Sequence, residues 1–327
     1  MPLRIGFLSV AHLHAGGYAH AIRSNPHAEI GGVWDPDEAG RGRFAKQWEA
    51  QEFLDREALL DSVDAVVITS ENKLHAELGE AAARRGKHIL CEKPLVTSEE
   101  EGARLLSAVD EAGVKLMTAF PCRYSPAFKR ALDRVRSGDI GAVQAVCSTN
   151  RGRCPFGWFV DVEKSGGGAM IDHTVHVADL LRVLLGDEVT RVQAQTGNNM
   201  YGEAWDDTAM LTLEFAKGVF ATLDSSWSRH KTYKTWGDVT MNIVGEEGVI
   251  EIDMFGQALD VHRPGDLTHT VAYYGSGLDE GLVGDFVDCI LEDKAPPITG
   301  FDGLQAARVA MAGYQSVASG TVVAVPS

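Results

Sequence analysis

Positive charge is in short supply. Thirty Lys and Arg stand against 46 Asp and Glu, a formal net charge of −16 over 327 residues. A chain without a basic field has little to attract phosphate, so nucleic acid and anionic membrane are not expected as partners, and only a local positive pocket stays open. Cysteine is scarce as well. Cys91, Cys122, Cys147, Cys154 and Cys289 are odd in number, far apart and never in a C-x-x-C pair. That reads as reduced thiols in a cytoplasmic protein, with no disulfide framework and no structural zinc. Long apolar runs are missing too: none approaches the ~18 residues of a membrane span. The opening Met1-Pro2-Leu3-Arg4-Ile5-Gly6 shows no signal-peptide core. A soluble, cytoplasmic protein is the expectation, without internal repeats or low-complexity tracts.

What is present alternates. Short, almost wholly apolar runs at 3–10, 29–34, 64–69, 88–91 and 115–120 are separated by helical spacing at about 14–24, 37–48, 73–85 and 98–112. Such alternation predicts a parallel sheet covered by helices on both faces. Asp37 is a natural N-cap for the second helix. After Pro121 the texture changes to period-two segments, such as Ala209, Leu211, Leu213 and Phe215 against Met210, Thr212 and Glu214, with turn residues between them. The predicted fold class is therefore α/β: an N-terminal Rossmann doubly wound parallel sheet over 1–121, then over 122–327 an α/β domain with a large, mostly antiparallel open sheet. A long helix at about 168–185 is inserted early in the second domain. Helices at about 279–292 and 302–319 close the chain, the last free to pack back on the first domain.

The first strand, turn and helix, followed by Asp35 at the end of the second strand, have the layout of a dinucleotide site. The pyrophosphate would lie over the helix N-terminus and Asp35 would accept from ribose hydroxyls. Yet the G-x-G-x-x-G string is absent, and its positions are held by Ser9-Val10-Ala11-His12-Leu13-His14, with Gly16-Gly17 one turn later. Ser9 and Ala11 are small enough for close backbone approach, while His12 and His14 are bulky. A nucleotide-free domain whose first turn packs histidines remains the alternative. Asp35 favours NAD over NADP, and Arg41 keeps NADP open. His12-x-His14 also suggests a metal, but further ligands are needed that the sequence cannot place, and no metal is assigned.

Cys91-Glu92-Lys93-Pro94-Leu95 puts a lysine at the exit of a buried strand, where open α/β sheets bind ligands. Asp172 and His176 lie four apart on a predicted helix and share a face. Before them, Gly166-Gly167-Gly168 would let backbone approach a ligand and leave N–H groups to bind it. His173 lies about 100° round the helix and suits a substrate contact or packing. Arg153, Trp158 and Phe159 fall in a Gly/Pro-containing loop at 151–168, Trp158 suited to stack on a sugar face and Arg153 to bond hydroxyls. Trp227, Arg229 and Trp236 are weaker candidates.

The N-terminal strand-turn-helix, Thr69-Ser70-Glu71-Asn72 with His75, Glu92-Lys93-Pro94, and Gly166-Gly167-Gly168 leading to Asp172 and His176 together resemble the Gfo/Idh/MocA family of NAD(P)-dependent sugar and polyol oxidoreductases. The likeness extends to Arg123-Tyr124-Ser125-Pro126 and to Asp206-Asp207-Thr208-Ala209. It implies that Ser9, Ala11, His12, Leu13, Asp35, Thr69, Ser70, Asn72, His75 and Arg123 serve the cofactor, NAD or alternatively NADP, with Glu92 and Lys93 beside the nicotinamide ribose. It implies a substrate site in the second domain and a homodimer or homotetramer formed through the open sheet. Lys93 would stabilise a developing alkoxide, and His176, oriented by Asp172, would exchange the hydroxyl proton. Lys93, Arg153, Trp158, Asp172, His173 and His176 would contact a small sugar or polyol. Two other functions share these residues: transient oxidation on a retained NAD, ending in epimerisation, elimination or glycoside cleavage, and non-catalytic nucleotide or sugar sensing.

Overall fold

The computed structural model describes residues 1–263, 265, 268–273 and 277–326. They form two compact units. The first comprises Met1–Pro121, Gly157–Gly166 and Asp279–Arg308, the second Cys122–Phe156, Gly167–Leu278 and Val309–Ser327.

In the first unit, β1 (Leu3–Val10), β2 (Ala28–Trp34), β3 (Ala65–Thr69), β4 (His88–Cys91) and β5 (Leu116–Thr118) pair in parallel in the order β2-β1-β3-β4-β5. A single parallel bridge from Val33 to Glu52 adds the trace of a further strand outside β2. Counting it, the order becomes that of a doubly wound dinucleotide fold, whose switch point lies between β1 and β3. The helices α1 (Ala15–Ser24), α2 (Glu38–Trp48), α3 (Arg56–Ser62), α4 (His75–Arg84) and α5 (Glu99–Ala112) connect these strands. Asp37 accepts from the amides of Ala39 and Gly40 and so caps α2, as its place in the sequence predicted. Ser98 caps α5 in the same way, through the Glu101 amide. The unit also holds the short α7 (Val162–Ser165), α9 (Leu278–Leu291) and the start of α10 (Gly300–Ser319).

The second unit opens with α6 (Pro126–Arg136), β6 (Val143–Gly152) and α8 (Ala169–Leu185). Then follow β7 (Val189–Gly197), β8 (Thr208–Phe215), β9 (Phe220–Ser226), β10 (Gly237–Gly245) and β11 (Val249–Asp253), with the short β14 (Val323–Ala324) near the end. These strands form a seven-stranded sheet in the order β11-β10-β6-β9-β8-β7-β14. Its pairings are antiparallel except β6 with β9, which run parallel. Alternation gives the reason for one covered face: Ala209, Leu211, Leu213 and Phe215 are buried while Met210 and Thr212 are exposed. That covered face meets α8. The hairpin of β12 (Ala258–Arg263) and β13 (Thr268–Tyr273) stands outside the large sheet.

The Asp37 cap is a local test of this account. Asp37→Ala should lower stability by about 0.5–2 kcal/mol, read as a lower urea midpoint at unchanged m-value. A change in m, or none in midpoint, would count against the cap.

Candidate active site

The first turn is tight without glycine. Ser9 adopts φ 65°, a left-handed conformation that side chains other than glycine's rarely take. Three bonds hold it there. Asp35 Oδ2 accepts from Ser9 Oγ at 2.8 Å and from the Val10 amide at 2.6 Å, while Thr69 Oγ1 donates to the Ser9 carbonyl at 2.6 Å. The His12 amide donates to the Thr69 carbonyl at 2.9 Å. Asp35 Oδ1 accepts from the Asp37 amide, so the expected ribose acceptor also builds the turn. Arg41, kept as a possible partner for a 2′-phosphate, is buried. Its Nη1 donates to the Asp35 carbonyl at 2.8 Å and its Nε to Glu52.

Glu92 and Lys93 follow β4 and are both buried, Glu92 completely. His14 Nδ1 donates to Glu92 Oε1 at 2.8 Å, Tyr18 Oη donates to the same oxygen, and the Lys93 amide donates to Oε2 at 2.9 Å. Burial alone would push the Glu92 carboxyl up, but the charges of His12 and His14, the His14 hydrogen bond and Lys93 outweigh it and hold the group well below its ordinary value. His75 has no exposed surface, and its ring nitrogens meet the carbonyls of Pro94 at 2.8 Å and Ser70 at 3.3 Å. Desolvation holds its pKa down against these two bonds. It braces the Lys93-Pro94 turn. Asn72 Nδ2 donates to the Ser165 carbonyl at 2.8 Å and Ser70 Oγ to the Glu71 carbonyl, so both side chains stitch loops of the first unit.

Trp158 lies in that unit as well, against the first turn. Its Nε1 donates to the Ala11 carbonyl at 3.1 Å, and its ring stacks on Phe159 at 3.9 Å, with both rings close to His12. Segment 157–166 is therefore not an open loop but a 3₁₀ turn and α7 packed within the first unit.

In the second unit Gly167 and Gly168 of the triple glycine serve packing, which corrects the expectation that the run leaves amides for a ligand. A Cβ on Gly167 would stand 2.2 Å from the Tyr314 hydroxyl, and one on Gly168 would stand 2.1 Å from the Asp206 carbonyl oxygen. Asp206 takes up the amides at the start of α8. Its carboxylate accepts from Gly168 at 3.0 Å and Met170 at 2.7 Å, and its carbonyl accepts from Ala169. Tyr314 donates to Asp206 in turn. This cap had one trace in the sequence, Asp206-Asp207 ahead of a strand. Tyr314 had none.

On α8, Asp172, His173 and His176 are all buried. Asp172 has two partners that helical spacing does not show: Trp227 Nε1 donates to its Oδ2 at 3.1 Å, and His173 Nε2 lies 3.2 Å from the same oxygen. His173 Nδ1 faces the Asn150 carbonyl at 2.9 Å. Both nitrogens of His173 thus meet oxygen atoms. Arg123 makes a two-pronged pair with the buried Asp179 of the same helix, Nε to Oδ2 at 2.7 Å. Arg153 Nη2 donates to the Tyr233 carbonyl at 2.8 Å, and its Nε is buried without a hydrogen-bond partner among the described residues.

The residues around the first turn fit a dinucleotide. A Cβ on Gly16 would meet nothing within 4 Å, so the N-terminus of α1 has room beside it, and Leu13 next to it is exposed. The strain that glycine normally removes is borne by Ser9.

Because the folded-state pKa of Glu92 is depressed, its contribution to stability is complete above the unfolded value of about 4.3 and is lost as pH falls below it. Denaturant melts of the protein and of Glu92→Gln should therefore differ most at neutral pH and converge in acid. A stability gap that stays constant from pH 7 to pH 3.5 would contradict the charged, paired carboxylate.

Comparison with known proteins agrees with this architecture. The model of the oxidoreductase family with an NAD-binding Rossmann fold matches residues 8–120, and that of the GFO/IDH/MocA C-terminal domain matches residues 128–251. The chain is 31% identical to the uncharacterized oxidoreductase YrbE of Bacillus subtilis over 321 residues, covering 92% of this chain and 90% of that one. It is 30% identical to the myo-inositol 2-dehydrogenase of Thermotoga maritima over 268 residues, 78% of each chain. Among solved structures, GenD2 from gentamicin A biosynthesis, in complex with NAD, superposes with a TM-score of 0.91 at 24% identity over 100% of this chain and 97% of that one. The chain belongs to the Gfo/Idh/MocA family of oxidoreductases, and its first unit is that family's NAD-binding Rossmann domain.

Proposed function

We propose that the protein is an NAD-dependent dehydrogenase that moves hydride between the nicotinamide and a secondary alcohol or ketone of a sugar, polyol or related cyclic compound. The observation that carries this reading is Lys93: a lysine 4% exposed at the carboxyl end of a parallel sheet, directly after a fully buried glutamate. A desolvated ammonium is an effective donor to an oxygen that gains charge as hydride leaves its carbon. Family membership and relatives named as inositol dehydrogenases support the same class of substrate.

When bound, the cofactor supplies the hydride acceptor. The side chains do the rest. Ser9, Ala11, His12 and Leu13 would hold the cofactor through the first turn, and Asp35 through the lone pair positions left on its carboxylate. Thr69, Ser70, Asn72 and His75 act by fixing the loops that surround it. Lys93 donates to the substrate oxygen. His176 takes the hydroxyl proton in oxidation and returns it in reduction. Asp172 and His173, locked together and to Trp227, set the charge and position of the α8 face that carries His176. Arg153, with one guanidinium nitrogen unpartnered among the described residues, is suited to a substrate hydroxyl. The engagement of Arg41 with Asp35 and Glu52 favours NAD over NADP.

Lys93→Ala and His176→Ala should each lower turnover by ~10²-fold or more on the sugar or polyol that reduces NAD in a substrate screen. Rates equal to those of the parent protein in both folded variants would overturn the assignment. NAD should raise the melting temperature more than NADP at equal concentration.

A further inference from the structure

The hydride chemistry gives the side chain of His14 no task, and His12 serves it only through the first turn. His-x-His falls short of a cation site because it lacks a third ligand, and the fold provides one. His12, His14 and Glu92 each bring a ligand atom to within 4.8 Å of the others, with Glu92 arriving from the end of β4, 78 positions beyond His14. His14 Nδ1 lies 2.8 Å, and His12 Nδ1 3.8 Å, from Glu92 Oε1. In a tetrahedral site with metal–ligand distances of about 2.0–2.2 Å, ligand atoms stand about 3.3–3.6 Å apart. The two separations bracket that spacing. We propose that His12, His14 and Glu92 form a site for a divalent cation of the zinc type, with the fourth position left open.

The surroundings are those of a ligand set already held in place. His12 Nδ1 accepts from the His14 amide at 3.1 Å, so that nitrogen carries a lone pair, which it would turn from the amide to the cation. His14 Nδ1, which donates to Glu92, would exchange its proton for the cation. Tyr18 Oη and the Lys93 amide fix the two carboxylate oxygens from behind, as outer partners do in metal sites. The Trp158 and Phe159 rings, 5.9 and 5.2 Å from that of His12, form an apolar wall. A second carboxylate is brought in on purpose: Asp279 Oδ2 lies 2.3 Å from where a Cβ on Gly17 would stand, so glycine is what admits it to the first turn of α1. Its charge bears on both His14 and Glu92. Against the ammonium of Lys93, two carboxylates therefore favour a cation. The imidazole and carboxylate donors suit zinc and cobalt better than magnesium.

This inference goes beyond the dehydrogenase reading, and its test needs neither nicotinamide nor substrate. The tag-free chain is dialysed against Co²⁺ and freed of excess. The expected result is one Co²⁺ per chain with the visible absorption of a tetrahedral site, displaced by Zn²⁺. His14→Gln and Glu92→Gln should each lose that equivalent. Tyr18→Phe should weaken it about 10- to 100-fold, and His20→Ala, which alters an exposed histidine of the same helix, should leave it intact. Circular dichroism and melting of the metal-free variants verify folding. Should Glu92→Gln fail to fold, His14→Gln, whose ring is partly exposed, decides the matter. No bound Co²⁺ in the parent protein, or a full equivalent retained by folded His14→Gln, overturns the site and leaves an internal imidazole–carboxylate pair only.

Discussion

One negative charge taken wholly out of water governs the ligand-facing end of the first unit. An unpaired buried carboxylate costs several kcal/mol, so Glu92 can be there only if donors come to it. They come from distant parts of the chain: His14 and Tyr18 from the start of α1, and the Lys93 amide from the turn after β4. The same requirement fixes where α1 begins. Together with Asp35 after β2 and Thr69 at the end of β3, Glu92 ties the turn after β1 to three neighbouring strands. A glycine-rich turn is shaped by the absence of side chains. This one is shaped by their hydrogen bonds, and Ser9 at φ 65° is the residue that bears the strain.

How much of this could be read beforehand depended on the kind of signal. The parallel sheet was legible because strands buried on both faces are nearly continuous runs of apolar residues, and β1 to β5 fell where those runs lie. Asp37 was legible because a cap is a local event. β6 was not singled out: its Val-Gln-Ala-Val-Cys-Ser-Thr-Asn-Arg-Gly has buried positions filled by Ser148, Asn150 and Gly152, which hydropathy does not mark. The seven-residue α3 buries only Leu59 and Leu60, too few to show a period. Lys93, Asp172 and His176 stood out through motif order, whereas the partners that position them, Trp227, Tyr18 and Asp206, lie far away in sequence. Trp227 stood only among the weaker candidates, Asp206 only as part of Asp206-Asp207 ahead of a strand, and Tyr18 only as a residue four after His14 on one helical face.

The triple glycine shows how a correct observation can carry the wrong cause. Three glycines before a helix do signal close approach, but what approaches is the protein itself: Thr97 beside Gly166, Tyr314 beside Gly167 and Asp206 beside Gly168. The Gly166 amide donates to the Val162 carbonyl, and the amides of Gly168, Ala169 and Met170 have their partner in Asp206. Burial raises the Asp206 carboxyl despite the amides of Met170 and Gly168 and the Tyr314 hydroxyl that it binds. The helix start is thereby rigid, which places Asp172 one turn later with little freedom.

The parallel pairing of β6 with β9 has a consequence for how the second unit comes into being. These two strands are neighbours in the middle of the sheet, yet α8, β7 and β8 all lie between them in the chain. The central seam therefore requires a loop of that length to be gathered in, and non-local pairing of this kind is slow. α8 is enclosed as the seam forms: apart from Val183 and Leu185 every residue of the helix is buried, Asp172, His173, His176, Asp179 and Arg182 among them. The helix that carries His176 thus lies within that loop, its ionisable groups buried together with it.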